Sequence, residues 1–254
     1  MPTERVTFAG SLHHPLVGRL DLPDSAEPRG FVLWAACFTC VKDLKAARWA
    51  GRRLVERGYG VLRFDYSGLG ESGGTFADAT FESHVGDIVA AAHHLATHQS
   101  PPVAIVGHSL GGFAACAAIA QLRAPRLLAT LNSPSDTQHL AALIRTRAPQ
   151  VERGDVEPMS FAGGRPVPVG RPLLESFSNV DSRAILHAVD RPTIVFQSTD
   201  DDILTRGAAD RLYQGLNCVK SFLTLPGADH LLTRDEAHSR FVANVVADWL
   251  ETFP

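Results

Sequence analysis

The sequence predicts an α/β protein: an open, mostly parallel sheet of eight strands with helices on both faces. Three observations carry this. Short apolar runs of five to seven residues alternate with longer amphipathic stretches from residue 30 to the end. The first 23 residues instead show the period-2 alternation of an antiparallel hairpin. The 254 residues, 45% hydrophobic and 20% charged, suit one domain with a large core that needs neither disulfides nor metals.

Taken in order, VTFAGSLHHPLVGRLDLP (6–23) is the hairpin, turning at His13–Pro15. GFVLWAA (30–36) is a buried strand, and KDLKAARWAGRRLVERG (42–58) a helix with Leu44, Ala47, Ala50, Leu54 and Val55 on one face and Gly58 as its stop. GVLRFD (60–65) is a strand, FESHVGDIVAAAHHLATH (81–98) a helix, PVAIVG (102–107) a strand and LGGFAACAAIAQL (110–122) an apolar helix. LLATLNS (127–133) and TIVFQS (193–198) are strands, followed by a helix over 207–216, the strand VKSFLTL (219–225) and a last helix over 235–252. Residues 134–191 break the rhythm. They read as helix, short hairpin around Gly163–Gly164, helix, which is too long for a crossover and suits a lid inserted in a single domain spanning 1–254.

Several functions are disfavoured. A net charge of −3 gives no footprint for nucleic acid or an anionic membrane. No apolar run approaches the ~18 residues of a membrane span. MPTERVTFAGSL lacks a basic segment followed by an apolar one, so no signal peptide is expected. The four cysteines, Cys37, Cys40, Cys116 and Cys218, are too scattered for a disulfide framework, so the expected compartment is reducing and cytoplasmic. Cys116 reads as a small core residue.

The chemistry sits in PVAIVGHSLGG. Gly107-His108-Ser109-Leu110-Gly111 is G-x-S-x-G between a strand and a helix, where a tight turn lifts a serine hydroxyl to a helix N-terminus. Ser109 is therefore the expected nucleophile. His230 in GADHLLTRDE follows the last strand and can reach back over the sheet as general base. The other histidines fall in amphipathic helices, at the hairpin turn or in the insertion, except His108, which is beside the serine, where adjacent side chains point apart. FQSTDDDILT offers Asp200, Asp201 and Asp202 as the carboxylate that orients the base. Three adjacent acids cannot all face one imidazole.

Together these residues resemble the α/β-hydrolase superfamily along essentially the whole chain, including its order of Ser, then Asp, then His. The runs CFTCVKDLKAAR, GVLRFDYSGLGESGGTFADATF, VGHSLGG, APQVERGDVEPMSFAGGRPVPV and LPGADHLL are similar to the hydrolase half of proteins in which such a domain is fused to an OsmC-type domain. The resemblance implies an α/β-hydrolase fold, with Ser109 as nucleophile, His230 as base, and Asp201 ahead of Asp202 as the acid. It implies an oxyanion hole from the backbone amides of Phe38 and Leu110. Ala36 stands where the family usually has a histidine that braces this loop. Asp65 matches a structural aspartate. Thr39, His108 and Phe76 are candidates for substrate contact.

The expected activity is hydrolysis of a carboxylic ester with a short acyl chain through an acyl-enzyme, without cofactor or metal. The expected partner is a small-molecule ester; neither nucleic acid nor membrane is expected. Serine in place of aspartate at the elbow disfavours a dehalogenase. Two rival readings stand beside it. One is a weakly catalytic or non-catalytic scaffold that partners an OsmC-type protein. The other is a thiol-redox role for Cys37 and Cys40, whose C-x-x-C spacing lies between a strand and a helix. The redox reading leaves GHSLGG, the aspartate run and GADH without a purpose.

Overall fold

A computed structural model describes residues 1–24, 27–161 and 165–253. The eight strands of the main sheet lie in the order β1-β2-β4-β3-β5-β6-β9-β10. β1 (Thr3–Ala9) and β2 (Pro15–Asp21) form the antiparallel hairpin, and β2 also pairs antiparallel with β4 (Gly60–Phe64). β3 (Phe31–Ala35), β5 (Pro102–His108), β6 (Leu127–Leu131), β9 (Thr193–Asp200) and β10 (Lys220–Asp229) continue the sheet in parallel.

The two-residue side-chain period divides each central strand between two cores. Leu33, Leu62, Phe64, Ile105, Leu128 and Val195 point to one face, beneath α2 (Phe81–His98) and α3 (Leu110–Ile119). Val32, Val61, Ala104, Val106, Ile194 and Phe196 point to the other, beneath α1 (Lys45–Glu56) and α8 (Glu236–Thr252). Burial on both faces explains why these strands read as continuous apolar runs. α7 (Arg206–Gly215) packs beside β9.

The residues 134–191 hold α4 (Gln138–Arg147), a short 3-10 turn, the two-stranded ribbon β7 (Glu157–Met159) and β8 (Val167–Val169), α5 (Arg171–Asn179) and α6 (Ser182–His187). The expected turn at Gly163–Gly164 lies outside the described residues. Within the insertion Thr137 Oγ1 donates to the Phe177 carbonyl at 2.7 Å, and the Phe81 amide of α2 ties it down by donating to Ser176 Oγ at 2.9 Å.

Element boundaries differ from expectation at two places that matter. α1 starts at Lys45, not residue 42. Lys42 is buried, and both its amide and its Nζ donate to the Asp65 carboxylate at 2.6 Å, while Arg63 Nη1 donates to the Lys42 carbonyl at 2.6 Å. These bonds hold the chain as a loop. β9 and β10 run past their expected ends to Asp200 and Asp229, with a register shift between Leu225 and Asp229 that carries the next residue over the sheet edge.

Asp65 is fully buried and serves as the structural aspartate expected of it, accepting also from the Glu71 amide at 3.0 Å. Burial opposes the Lys42 charge, but hydrogen bonds to Asp65 and Glu71 hold its pKa above the ordinary lysine value. Lys42→Met should leave a buried carboxylate uncompensated and cost about 3 kcal/mol or more of stability. A lower urea midpoint at unchanged slope checks this; an unmoved midpoint would show that the pair is dispensable.

Candidate active site

Ser109 joins β5 to α3 with φ 53° and ψ −129°, a conformation that costs an L-residue energy and persists only where its surroundings enforce it. Its amide donates to the Leu131 carbonyl at 2.8 Å, fixing the turn to β6. A Cβ at Gly111 would collide with the Ala36 carbonyl, so this position must lack one for the elbow and the loop after β3 to meet.

His230 follows β10. Its Nε2 lies 3.1 Å from Ser109 Oγ, and its Nδ1 lies 2.8 Å from Asp201 Oδ2. The side chains of His230 and Asp201 are 3% and 2% exposed, so their pairing is shielded from competing water. Burial alone would raise the Asp201 carboxyl. The hydrogen bond and charge of His230, with the amides of Leu204 and Ile203, overcome this and hold it below the ordinary carboxylate value. Those amides donate to Oδ1 at 2.8 and 2.9 Å, while Oδ2 faces the imidazole and accepts also from Gln197 Nε2 at 3.3 Å. A carboxylate so placed keeps the proton on Nδ1 and the lone pair of Nε2 toward the serine.

Of the three adjacent acids the structure brings only Asp201 to the histidine. Asp200 is exposed and faces Arg234 at 3.4 Å. Asp202 is exposed at the rim of the cavity beside Ser109.

The Phe38 and Leu110 amides flank that cavity, and neither donates to another protein acceptor among the described residues. With no histidine at position 36, the loop is braced through Phe38 itself. Its ring is 4.9 Å from Phe161, 5.4 Å from Phe76 and 5.5 Å from Phe177, centroid to centroid. Cys37 and Cys40, which bracket Phe38 and Thr39, are joined by a disulfide. Cys116 is buried in the core as expected.

A model of the alpha/beta hydrolase family matches residues 29–244. The chain belongs to the alpha/beta hydrolase family. A comparison with curated proteins finds no match. Among solved structures, this hydrolase is similar to the esterase domain of a Rhodothermus marinus protein at 32% identity, covering 98% of each chain with a TM-score of 0.77. It is similar also to Est1E from Butyrivibrio proteoclasticus, solved with ferulic acid, at 19% identity over 97% of this chain and 98% of that one, TM-score 0.75. XC6422 from Xanthomonas campestris, described as a serine hydrolase without lid, matches at 19% identity over 100% and 99% of the chains, TM-score 0.65. The last two likenesses show the shared fold.

The hydrolase's cavity encloses about 300 Å³ next to Ser109 and is more apolar than polar at its wall. Thr39 lines it. His108 and Phe76 do not. Both are fully buried, because their strand and turn point them into the core. Phe76 supports Phe38 from behind. His108 Nε2 donates to the His230 carbonyl at 2.8 Å, so it holds the histidine loop and stands outside the cavity wall.

Sequence reasoning missed two groups. Asn132, at the end of β6 with φ 48°, donates from Nδ2 to the same His230 carbonyl at 2.7 Å and to Ser198 Oγ at 2.9 Å. Asparagine tolerates that backbone, which was the available signal. The walls from the insertion, Leu140, Leu143, Arg147 and Phe161, were missed because nothing in a helical pattern says which face looks at a distant serine. No helix of the described residues is long and apolar enough to cross a membrane.

Burial, then the neighbouring His230, pulls the His108 pKa down to about 3, and burial lowers His84 as well. Both rings therefore bind protons more readily in the unfolded chain. Stability should fall as pH drops below about 6.5, by up to ~1.4 kcal/mol per pH unit for each ring, well above the carboxylate range. Urea midpoints between pH 7 and 5 check this, and His108→Asn should flatten the slope. A midpoint independent of pH over that interval would contradict it.

Proposed function

We propose that this protein is a serine carboxylesterase that acts on esters with short acyl chains. The observation that carries the reading is the chain of contacts Asp201–His230–Ser109, at 2.8 and 3.1 Å, opening onto an apolar cavity with two unengaged amides. The Rhodothermus marinus neighbour, an esterase domain at 32% identity, supports the same activity class.

In this mechanism Ser109 Oγ attacks the ester carbonyl while His230 Nε2 takes its proton. Asp201 holds the imidazole and stabilises the imidazolium that forms. The carbonyl oxygen, now negative, moves between the Phe38 and Leu110 amides at the positive end of α3. His230 returns the proton to the departing alcohol, and water then releases the acid by the same steps. The insertion 134–191 acts as a lid. Leu140, Leu143 and Phe161 close the cavity over the serine, which limits the acyl chain.

Labelling with a fluorophosphonate, mapped by peptide mass spectrometry, tests the nucleophile. Ser109 should carry the label, and Ser109→Ala should lose both the label and turnover of p-nitrophenyl acetate. His230→Ala should lower kcat by about 10³-fold or more, and Asp201→Asn by about 10²- to 10⁴-fold, while Asp202→Asn stays near the parent. The acetate and butyrate esters should turn over faster than the decanoate. A folded, unlabelled and inactive protein would sink the reading; equal effects at Asp201 and Asp202 would sink the assignment of the acid.

A further inference from the structure

The Cys37–Cys40 bond lies in the wall of the cavity that holds Ser109 and His230, and the residues it encloses are Phe38 and Thr39. We propose that this pair is a reversible thiol–disulfide site whose state sets the esterase activity, reduced and reoxidised by a thiol of low molecular weight and its disulfide. The proposal rests on the serine esterase reading and adds a second reactive site to it.

The cross-link closes a loop of four residues. Loops so short gain least from a cross-link through the unfolded chain, and a core of this size does not need one. Its effect is therefore local, on the turn that presents the Phe38 amide to the oxyanion. That turn has one other closure, the hydrogen bond from the Cys40 amide to the Cys37 carbonyl at 3.0 Å. The Phe38 ring stays locked among Phe76, Phe161 and Phe177 in either state, so opening the bond loosens the turn without unfolding it.

Access to the two sulfurs is unequal. Cys37 is 4% exposed, whereas Cys40 is partly open to solvent. An incoming thiolate therefore attacks Cys40 Sγ. The S–S bond breaks, its electron pair passes to Cys37 Sγ, and that sulfur takes up a proton. A second small thiolate attacks the small-thiol sulfur of the mixed disulfide and releases Cys40 as a thiolate. In sum, one protein disulfide and two small thiols give a protein dithiol and one small disulfide. The remaining cysteines do not enter this exchange: Cys116 is sealed in the core, with its thiol pushed up to about 12 by burial, and Cys218 lies elsewhere in the fold.

The test equilibrates the whole protein in dithiothreitol redox buffers, removes the buffer, and measures three things on each sample. Thiols counted after denaturation should rise from two to four as the poise becomes reducing. Over the same range kcat for p-nitrophenyl acetate should fall about tenfold with KM within about twofold, since a loosened oxyanion donor costs less than a deleted one. Far-ultraviolet circular dichroism should not change. The double variant Cys37→Ser, Cys40→Ser should stay at the reduced level at every poise, and reoxidation of the parent should restore kcat. Four thiols at every poise, or a constant kcat while the count doubles, overturns the proposal. Loss of the dichroism signal with kcat also overturns it, because the bond would then be a structural staple. Fluorophosphonate labelling separates the two readings. A protein inactive and unlabelled in both states defeats the esterase and its control together. A labelled, active protein insensitive to poise defeats the switch alone.

Discussion

The site depends on one close approach, between the turn at Ser109 and the loop after β3. The absence of a side chain at Gly111 lets the Ala36 carbonyl come up against the first turn of α3. This contact holds two groups in one rigid relation: the serine on its left-handed backbone and the loop that presents the Phe38 amide. Parallel pairing of β3 with β5, with Ala35 opposite Gly107, brings both to the same end of the sheet. Electrostatic stabilisation of a developing oxyanion needs donors that are already in place when the charge forms. In the proposed mechanism the sheet places them, and the strained backbone at Ser109 is held between the buried residues His108 and Leu110.

A second layer of polar contacts positions His230. The His230 carbonyl receives hydrogen bonds from His108 on β5 and Asn132 beyond β6, so two strands of the central sheet grip the backbone of a residue from the sheet's edge. Ser198 links the same network to the Asp229 carbonyl at 3.0 Å. The register shift near the end of β10 is what brings Asp229 and His230 within reach of these donors. Each of these polar groups is buried, where an unmade hydrogen bond is expensive, so the network specifies one position for the imidazole.

Much of this was legible in the sequence, for identifiable reasons. Strands buried on both faces leave apolar runs, and a serine elbow demands its glycines; both are local patterns. α2 was readable to the residue from the helical spacing of its apolar side chains, and the structure adds a capping box between Thr80 and Ser83 at its start. Long-range geometry was not readable. Lys42 looks like the first residue of a surface helix until Asp65, 23 positions away, takes its amide and its ammonium. His108 and Phe76 looked like wall residues because they neighbour the serine and the Gly-rich loop in sequence, whereas strand alternation and the 3-10 turn send both side chains inward. Asp201 differs from Asp200 and Asp202 only in how the chain leaves β9, which composition does not encode.

The neutral state of the buried histidines connects stability to function. His108 can hold the His230 carbonyl with a single N–H because burial keeps its ring uncharged; a proton on Nδ1, which has no hydrogen-bond partner among the described residues, would place a cation in the core beside His230. In the proposed mechanism that cation would also disfavour the imidazolium that forms on His230. The arrangement that makes the folded state vulnerable to acid is thus the one that keeps a buried cation away from the Asp201–His230 pair. Deeper burial of the network would sharpen the positioning of the base and widen the acid-sensitive range together, since one desolvation produces both effects.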